Sequence, residues 1–239
     1  MIFDEYKASQ ISIPRTGSKC VFRMLNKLPH DDSQSNFERC AGHASACQCD
    51  LCVQKRVESF YDDLGVGDDS KVSSFYQHRH FTYRDWEDFI GEYNSYENHK
   101  VFSFVRNPYD RTLSIFYFLH RNMTFGASEV KALFSQFCES CVTDDRFDLV
   151  SSWKRQTDFL INHEGKVSLD FIGSLENLEQ DWIKLQKKFD FPPYNPEYRK
   201  VNKSKNRRPE DYNDFYDQRS KDIIYDFLKE DFVNFGYKR

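Results

Sequence analysis

Cationic, hydroxyl-bearing and turn-forming residues are concentrated at two places in this chain, each directly after a short apolar run. The first place is Ile11-Ser12-Ile13-Pro14-Arg15-Thr16-Gly17-Ser18-Lys19-Cys20. The second is Val101-Phe102-Ser103-Phe104-Val105-Arg106-Asn107-Pro108-Tyr109-Asp110-Arg111-Thr112-Leu113-Ser114. In both, helical spacing resumes after the break. A strand that feeds a tight loop and a helix N-terminus brings loop N–H groups and the positive end of a helix dipole to one point, which is the chemistry of an anion site. Two such sites predict a ligand with two separate phosphate-like groups. In the first loop Gly17 permits the turn, Thr16, Ser18 and the backbone supply donors, and Arg15 and Lys19 supply charge. In the second, Arg106 ends the strand and Ser114 lies two turns into the next helix.

The elements that must position these residues can be read from spacing. Ile11 and Ile13 alternate with polar neighbours as a short strand, and Lys19 to Leu28 carries Val21, Phe22, Leu25 and Leu28 on one stripe. Val101 to Val105 is nearly all apolar, as in a central parallel strand covered on both faces. Asn107 caps and Pro108 starts a helix to about His120. Further strands are predicted at Ser73–His78 and Asp170–Leu175, and further helices at Lys55–Leu64, Tyr83–Tyr93, after Leu175 to Phe189, and Pro209–Lys229. Strands alternating with helices predict a three-layer, P-loop-like α/β fold with a mainly parallel central sheet flanked by helices. Length suits a single domain spanning 1–239, with a polar, Cys-rich insertion at about 29–54.

Composition narrows the partners. With 23 Phe and 14 Tyr the chain has ample core material. A net charge of −4 gives no global attraction to nucleic acid, so a polyanionic partner has to meet a local patch such as Arg199–Arg208. No apolar stretch approaches the roughly 20 residues that span a bilayer, and Met1 to Gln10 contains no signal-peptide core.

The first loop resembles the 5′-phosphosulfate loop of sulfotransferases, commonly I-P-K-T-G-G-T-S, and the second their 3′-phosphate element, F-V-R-[ND]-P-x-x-R-x-x-S. Arg106, Asn107, Pro108, Arg111 and Ser114 all fall in place. Later segments are similar to the carbohydrate branch of that family: Gln156 to Leu160, Asp170 to Gly173, Glu176 to Leu178, Asn202 to Lys205 and Asp231 to Tyr237. The resemblance implies transfer of the sulfuryl group of 3′-phosphoadenosine-5′-phosphosulfate (PAPS), a co-substrate that needs no metal, to a hydroxyl of a glycan or other acceptor. It assigns donor binding to Arg15, Thr16, Gly17, Ser18, Lys19, Cys20, Arg106, Ser114, Lys203 and Ser204. Gln77 to Trp86 resembles the His-x-His segment of uronyl 2-O-sulfotransferases, which makes His80 the expected base, with His78 the alternative.

Departures from the pattern are Arg15 for a lysine, Lys19 for a hydroxyl residue, Cys20 for Ser or Thr, and Ser174 where an arginine is frequent. Lys19 can share the role of the missing lysine. Family members of this branch are usually Golgi proteins with an N-terminal anchor. The resemblance therefore implies a Golgi lumen if an anchor precedes this chain, and the cytoplasm otherwise. Two other functions stay open: a P-loop kinase or NTPase, against which stands the lack of G-x-x-x-x-G-K-[ST], and a non-catalytic relic of the fold. The cysteines leave three readings. Cys40, Cys47, Cys49, Cys52, Cys138 and Cys141 fit three disulfides, Cys49, Cys52, Cys138 and Cys141 fit a zinc site, and all can be free thiols. The resemblance of the His-x-His segment to the 2-O branch implies a uronic acid or another glycan hydroxyl as acceptor.

Overall fold

Alternating side chains in one strand organise the molecule. The computed structural model describes residues 1–25, 82–92, 96–120, 126–143, 153–197 and 211–239, the side chains of Asp4, Lys19, Arg23, Glu92, Ala127 and Ser128 excepted. Strand β3, Lys100–Val105, is buried from Val101 onward. Its Phe102 and Phe104 point into one apolar cluster and its Val101 and Val105 into another, as a two-residue strand period requires.

Four strands form the sheet among the described residues, in the order β1-β2-β3-β4. β1 is Ile2–Phe3, β2 is Ala8–Ile11 and β4 is Phe171–Ser174. β1 runs antiparallel to β2. β2, β3 and β4 are parallel, with Gln10 beside Phe102 and Phe102 beside Phe171. Helices α1 (Ser18–Leu25) and α6 (Leu178–Phe189) cover one face through Val21, Met24, Leu178, Trp182 and Leu185. Helices α2 (Tyr83–Glu92) and α5 (Gln156–Leu160) cover the other through Trp86, Phe89, Phe159 and Leu160. A third, largely aromatic cluster joins α3 (Pro108–Leu119), α4 (Ala127–Thr143), α7 (Gln218–Phe227) and α8 (Lys229–Asn234). The expected α/β architecture, helices on both faces of a mainly parallel sheet, is present.

Several boundaries differ from expectation. The first strand ends at Ile11, so Ile13 is buried in a loop. The long helix expected over Pro209–Lys229 is instead a 3-10 turn at Tyr212–Phe215 followed by α7 and α8. Asp217 interrupts it, because its carboxylate accepts from Ser220 N at 2.7 Å and starts a new helix. Ile224 and Leu228 face the core, and Ile223 and Phe227 are partly buried. The predicted elements at Lys55–Leu64 and Ser73–His78 and the Cys-rich insertion lie outside the described residues.

The cysteine readings are also narrowed. Cys20, Cys138 and Cys141 are buried and in no disulfide, so the reading with Cys138 and Cys141 in disulfides does not hold. Both thiols sit on α4 inside the aromatic cluster, where burial pushes them well above the ordinary thiol range. A desolvated thiolate is costly there, which also disfavours the zinc alternative. The other four cysteines of that set lie outside the described residues.

One buried group lacks what it needs. Gln10 on β2 is 1% exposed, and neither polar atom of its side-chain amide has a hydrogen-bond partner among the described residues. An orphaned buried polar group costs roughly 1–3 kcal/mol. Gln10→Met keeps the shape and removes the polar atoms, and is expected to raise stability by about 1–2 kcal/mol in a denaturant titration. A fall in the unfolding midpoint would show that the amide is satisfied in solution.

Candidate functional site: a two-arginine anion site at the sheet edge

Parallel strands place their C-terminal ends on one side, and the crevice there is where open α/β sheets hold ligands. β2 and β3 are adjacent and parallel, so the loops that follow them must meet. The loop after β2 turns at Arg15 and Gly17, with φ of 69° and 87°. At Gly17 the positive φ favours glycine, and a Cβ there would lie 2.6 Å from Leu175 Cδ1 and displace the end of that side chain. Thr16 Oγ1 and Ser18 Oγ donate to Ile13 O at 2.9 and 3.2 Å and hold the loop closed on itself. Gly17 O then accepts from Cys20 N and Val21 N as α1 begins. The first N–H groups of a helix lack intrahelical acceptors, and those of Ser18 and Lys19, which open α1, come three and four residues after Arg15.

The loop after β3 is equally determined. Asn107 caps α3, its Oδ1 accepting from Tyr109 N and Asp110 N at 2.9 and 3.3 Å, with Pro108 at the first helical position. This cap leaves Arg106 at the junction. Its Nε donates to Asp110 Oδ2 at 2.6 Å and its Nη1 to Arg15 O at 3.0 Å. Arg15 in turn donates from Nε to Ser114 Oγ at 3.1 Å. The two loops are therefore one site, tied by a bond in each direction.

Its charge is incompletely balanced. Arg106 has Asp110, whereas Arg15 has no carboxylate partner among the described residues. The terminal nitrogens of Arg15 and Nη2 of Arg106 make no hydrogen bond there either. Burial pulls the Arg15 guanidinium down to about 10, and repulsion from Arg106 adds to it. Burial likewise pulls Arg106 to about 10, opposed by Glu176. Both remain charged at neutral pH. Two crowded, half-neutralised guanidiniums with spare donors are what an anionic group with several oxygens would relieve.

A supporting shell holds Arg106 in place. Arg106 N donates to Gln156 Oε1, and Gln156 Nε2 donates back to Arg106 O, both at 2.8 Å. Asp231 accepts from Gln156 N and Thr157 N, both at 2.8 Å. Asn107 N donates to Glu176 Oε1 at 2.7 Å, and Tyr237 donates to Glu176 Oε2 at 2.9 Å. Arg111 is 1% exposed and donates to Pro14 O at 3.1 Å and Lys154 O at 3.0 Å. The bond to Pro14 O anchors the first loop to α3. Burial lowers the pKa of Arg111 to about 10, opposed chiefly by the negative charge of Asp231.

The sulfotransferase family model matches residues 1–238. The chain belongs to the sulfotransferase family. An uncharacterized protein of Archaeoglobus fulgidus is 34% identical over 98 residues, which cover 41% of this chain and 72% of that protein. No solved structure matches.

Within this family member, the expected site residues fall into four sets. Arg15, Thr16, Gly17, Ser18, Arg106 and Ser114 are gathered at the sheet edge. Cys20 turns into the core, buried beside Val21 and Met24. Lys19 is placed by its backbone in the first turn of α1. His78, His80, Lys203 and Ser204 lie outside the described residues. At the frequent arginine position, Ser174 instead receives Asp181, whose Oδ2 accepts from Ser174 N at 2.8 Å. Gln156, Asp231, Glu176 and Tyr237 stood in tail segments of the resemblance with no role attached, and their roles are long-range contacts that spacing does not reveal.

Proposed function

We propose that this sulfotransferase uses PAPS as donor and a carbohydrate hydroxyl as acceptor. The observation that carries the donor half is the convergence of Arg15 and Arg106, one from each strand end, with no carboxylate paired to Arg15 among the described residues. The loop from Arg15 to Lys19 and the start of α1 would hold the 5′-phosphosulfate. Arg106 and Ser114 would hold the 3′-phosphate, with Lys203 and Ser204 closing over the nucleotide. In the reaction the acceptor oxygen forms the new S–O bond while the bond from sulfur to the 5′-phosphate oxygen breaks. The electron pair stays on that phosphate oxygen, where Arg15 and Lys19 stabilise the charge. The acceptor proton passes to His80.

The His-x-His segment supports both the base and the glycan acceptor, with uronic acid the favoured sugar. The described histidines are engaged elsewhere: His99 with Ser9 Oγ, His120 with Phe116 O and His163 with Asp88. Incubation with PAPS labelled in the sulfuryl group, across a panel of glycans, should label a uronic acid-containing acceptor. Calorimetry should find PAP (the desulfated donor) bound far more tightly than ATP. Tight PAP binding without transfer to any acceptor would favour the relic reading, and a preference for ATP would overturn the donor assignment.

A further inference from the structure

Arg15 carries the same charge a lysine would carry there, so its extra donors and flat guanidinium need a reason. Two side chains of α3 supply it. Ser114 Oγ accepts from Arg15 Nε at 3.1 Å. The guanidinium carbon of Arg15 lies 4.8 Å from the centroid of the Phe118 ring. Ser114 and Phe118 are four residues apart in one helix, so they stand on the same face one turn apart. One takes a hydrogen from the edge of the guanidinium and the other meets its cationic group with the negative face of a ring. Phe118 is 40% exposed, a position where a large apolar side chain contributes little to the core. An ammonium has no Nε donor at this point in the chain and no plane to lay against a ring.

We propose that Phe118 is a positioning residue for sulfuryl transfer. With Ser114 it forms a cradle that orients Arg15 and makes the loop specific for arginine over lysine. The proposal rests on the reading of Arg15 as a donor ligand. Phe118 acts through Arg15 and does not itself touch the donor.

PAP titrated calorimetrically into the full chain and its variants tests this. Phe118→Leu keeps apolar bulk without the ring face and is expected to weaken PAP about threefold to thirtyfold, the range of a partly desolvated cation–π contact. Phe118→Tyr keeps the face and should stay within about twofold of wild type. Arg15→Lys keeps charge but loses the cradle and should weaken PAP about tenfold. In an Arg15→Gln background, Phe118→Leu should cost nothing further, because two residues that act as one unit are not additive. The proposal falls if Phe118→Leu is silent, if Tyr is as damaging as Leu, if Arg15→Lys binds like wild type, or if the Leu effect persists in the Gln background. Arg15→Gln binding PAP like wild type would remove the donor reading as well. A weakened Arg15→Gln beside an unaffected Phe118→Leu would remove only the cradle.

Discussion

His80→Ala is expected to lower sulfuryl turnover by about 10²–10⁴ while leaving PAP affinity unchanged. The size follows from the usual contribution of a positioned general base. The selectivity follows from its place in the proposed reaction, since the base meets the acceptor hydroxyl and no nucleotide phosphate. The rate of the wild type should rise with pH through one ionisation of the imidazole kind, unperturbed at roughly 6.5, because only neutral imidazole accepts the proton. That limb should be missing in the variant. His78→Ala should cost less, through acceptor positioning. Turnover of His80→Ala near the wild-type level on a true acceptor would place the base elsewhere and make the likeness to the 2-O branch superficial.

The parts of the fold that spacing revealed are those where a local rule and the tertiary structure agree. Val101 to Val105 had to be a covered strand because no polar side in it could face water, and β3 is that strand. Asn107 and Pro108 marked the start of α3 through cap chemistry that needs no distant partner. Failures came where two local rules compete. In Pro209 to Lys229 the apolar spacing of Ile223, Ile224, Phe227 and Leu228 fits one helix, yet Asp217 offers a cap in its middle and the cap prevails. In α4, Val130, Phe134, Phe137, Cys138 and Cys141 form a buried stripe at helical spacing. The pair Cys138 and Cys141 fits a disulfide or zinc reading, but its three-residue interval is also the interval of a helix face.

The site divides along a similar line. Arg15, Arg106 and Ser114 were legible because each belongs to a continuous segment with its own anion-binding logic. That Arg15 and Ser114 share a hydrogen bond was not, since the contact crosses 99 positions of chain. The same holds for the line from Asp231 through Gln156 to the backbone of Arg106. Each residue of that line is ordinary in its own segment. What makes it functional is burial: Asp231 and Gln156 are 0% exposed, and at that depth their polar atoms must be satisfied by one another. Satisfying them fixes where Arg106 can be.

Arg106→Ala is expected to weaken PAP binding about tenfold to a hundredfold, as loss of a charge-assisted hydrogen bond worth roughly 1.5–3 kcal/mol implies. Arg106 does two jobs, and the variants must separate them. Its Nη1 holds Arg15 O and its Nε holds Asp110, so truncation also loosens the first loop and leaves a carboxylate at the phosphate site. Asp110→Asn keeps Arg106 and removes that carboxylate. If attraction to the ligand dominates, this variant binds PAP at least as well as wild type, because the guanidinium no longer shares its charge. In Arg106→Ala/Asp110→Asn the stray carboxylate is gone, so the remaining loss reports the missing contact and the looser loop. ATP lacks the 3′-phosphate and should bind poorly to wild type, and Arg106→Ala should weaken it by a smaller factor than it weakens PAP. An Arg106→Ala variant that lowers ATP and PAP affinity by the same factor would mean that Arg106 only shapes the loop. Wild-type protein with equal ATP and PAP affinity would remove the 3′-phosphate assignment altogether.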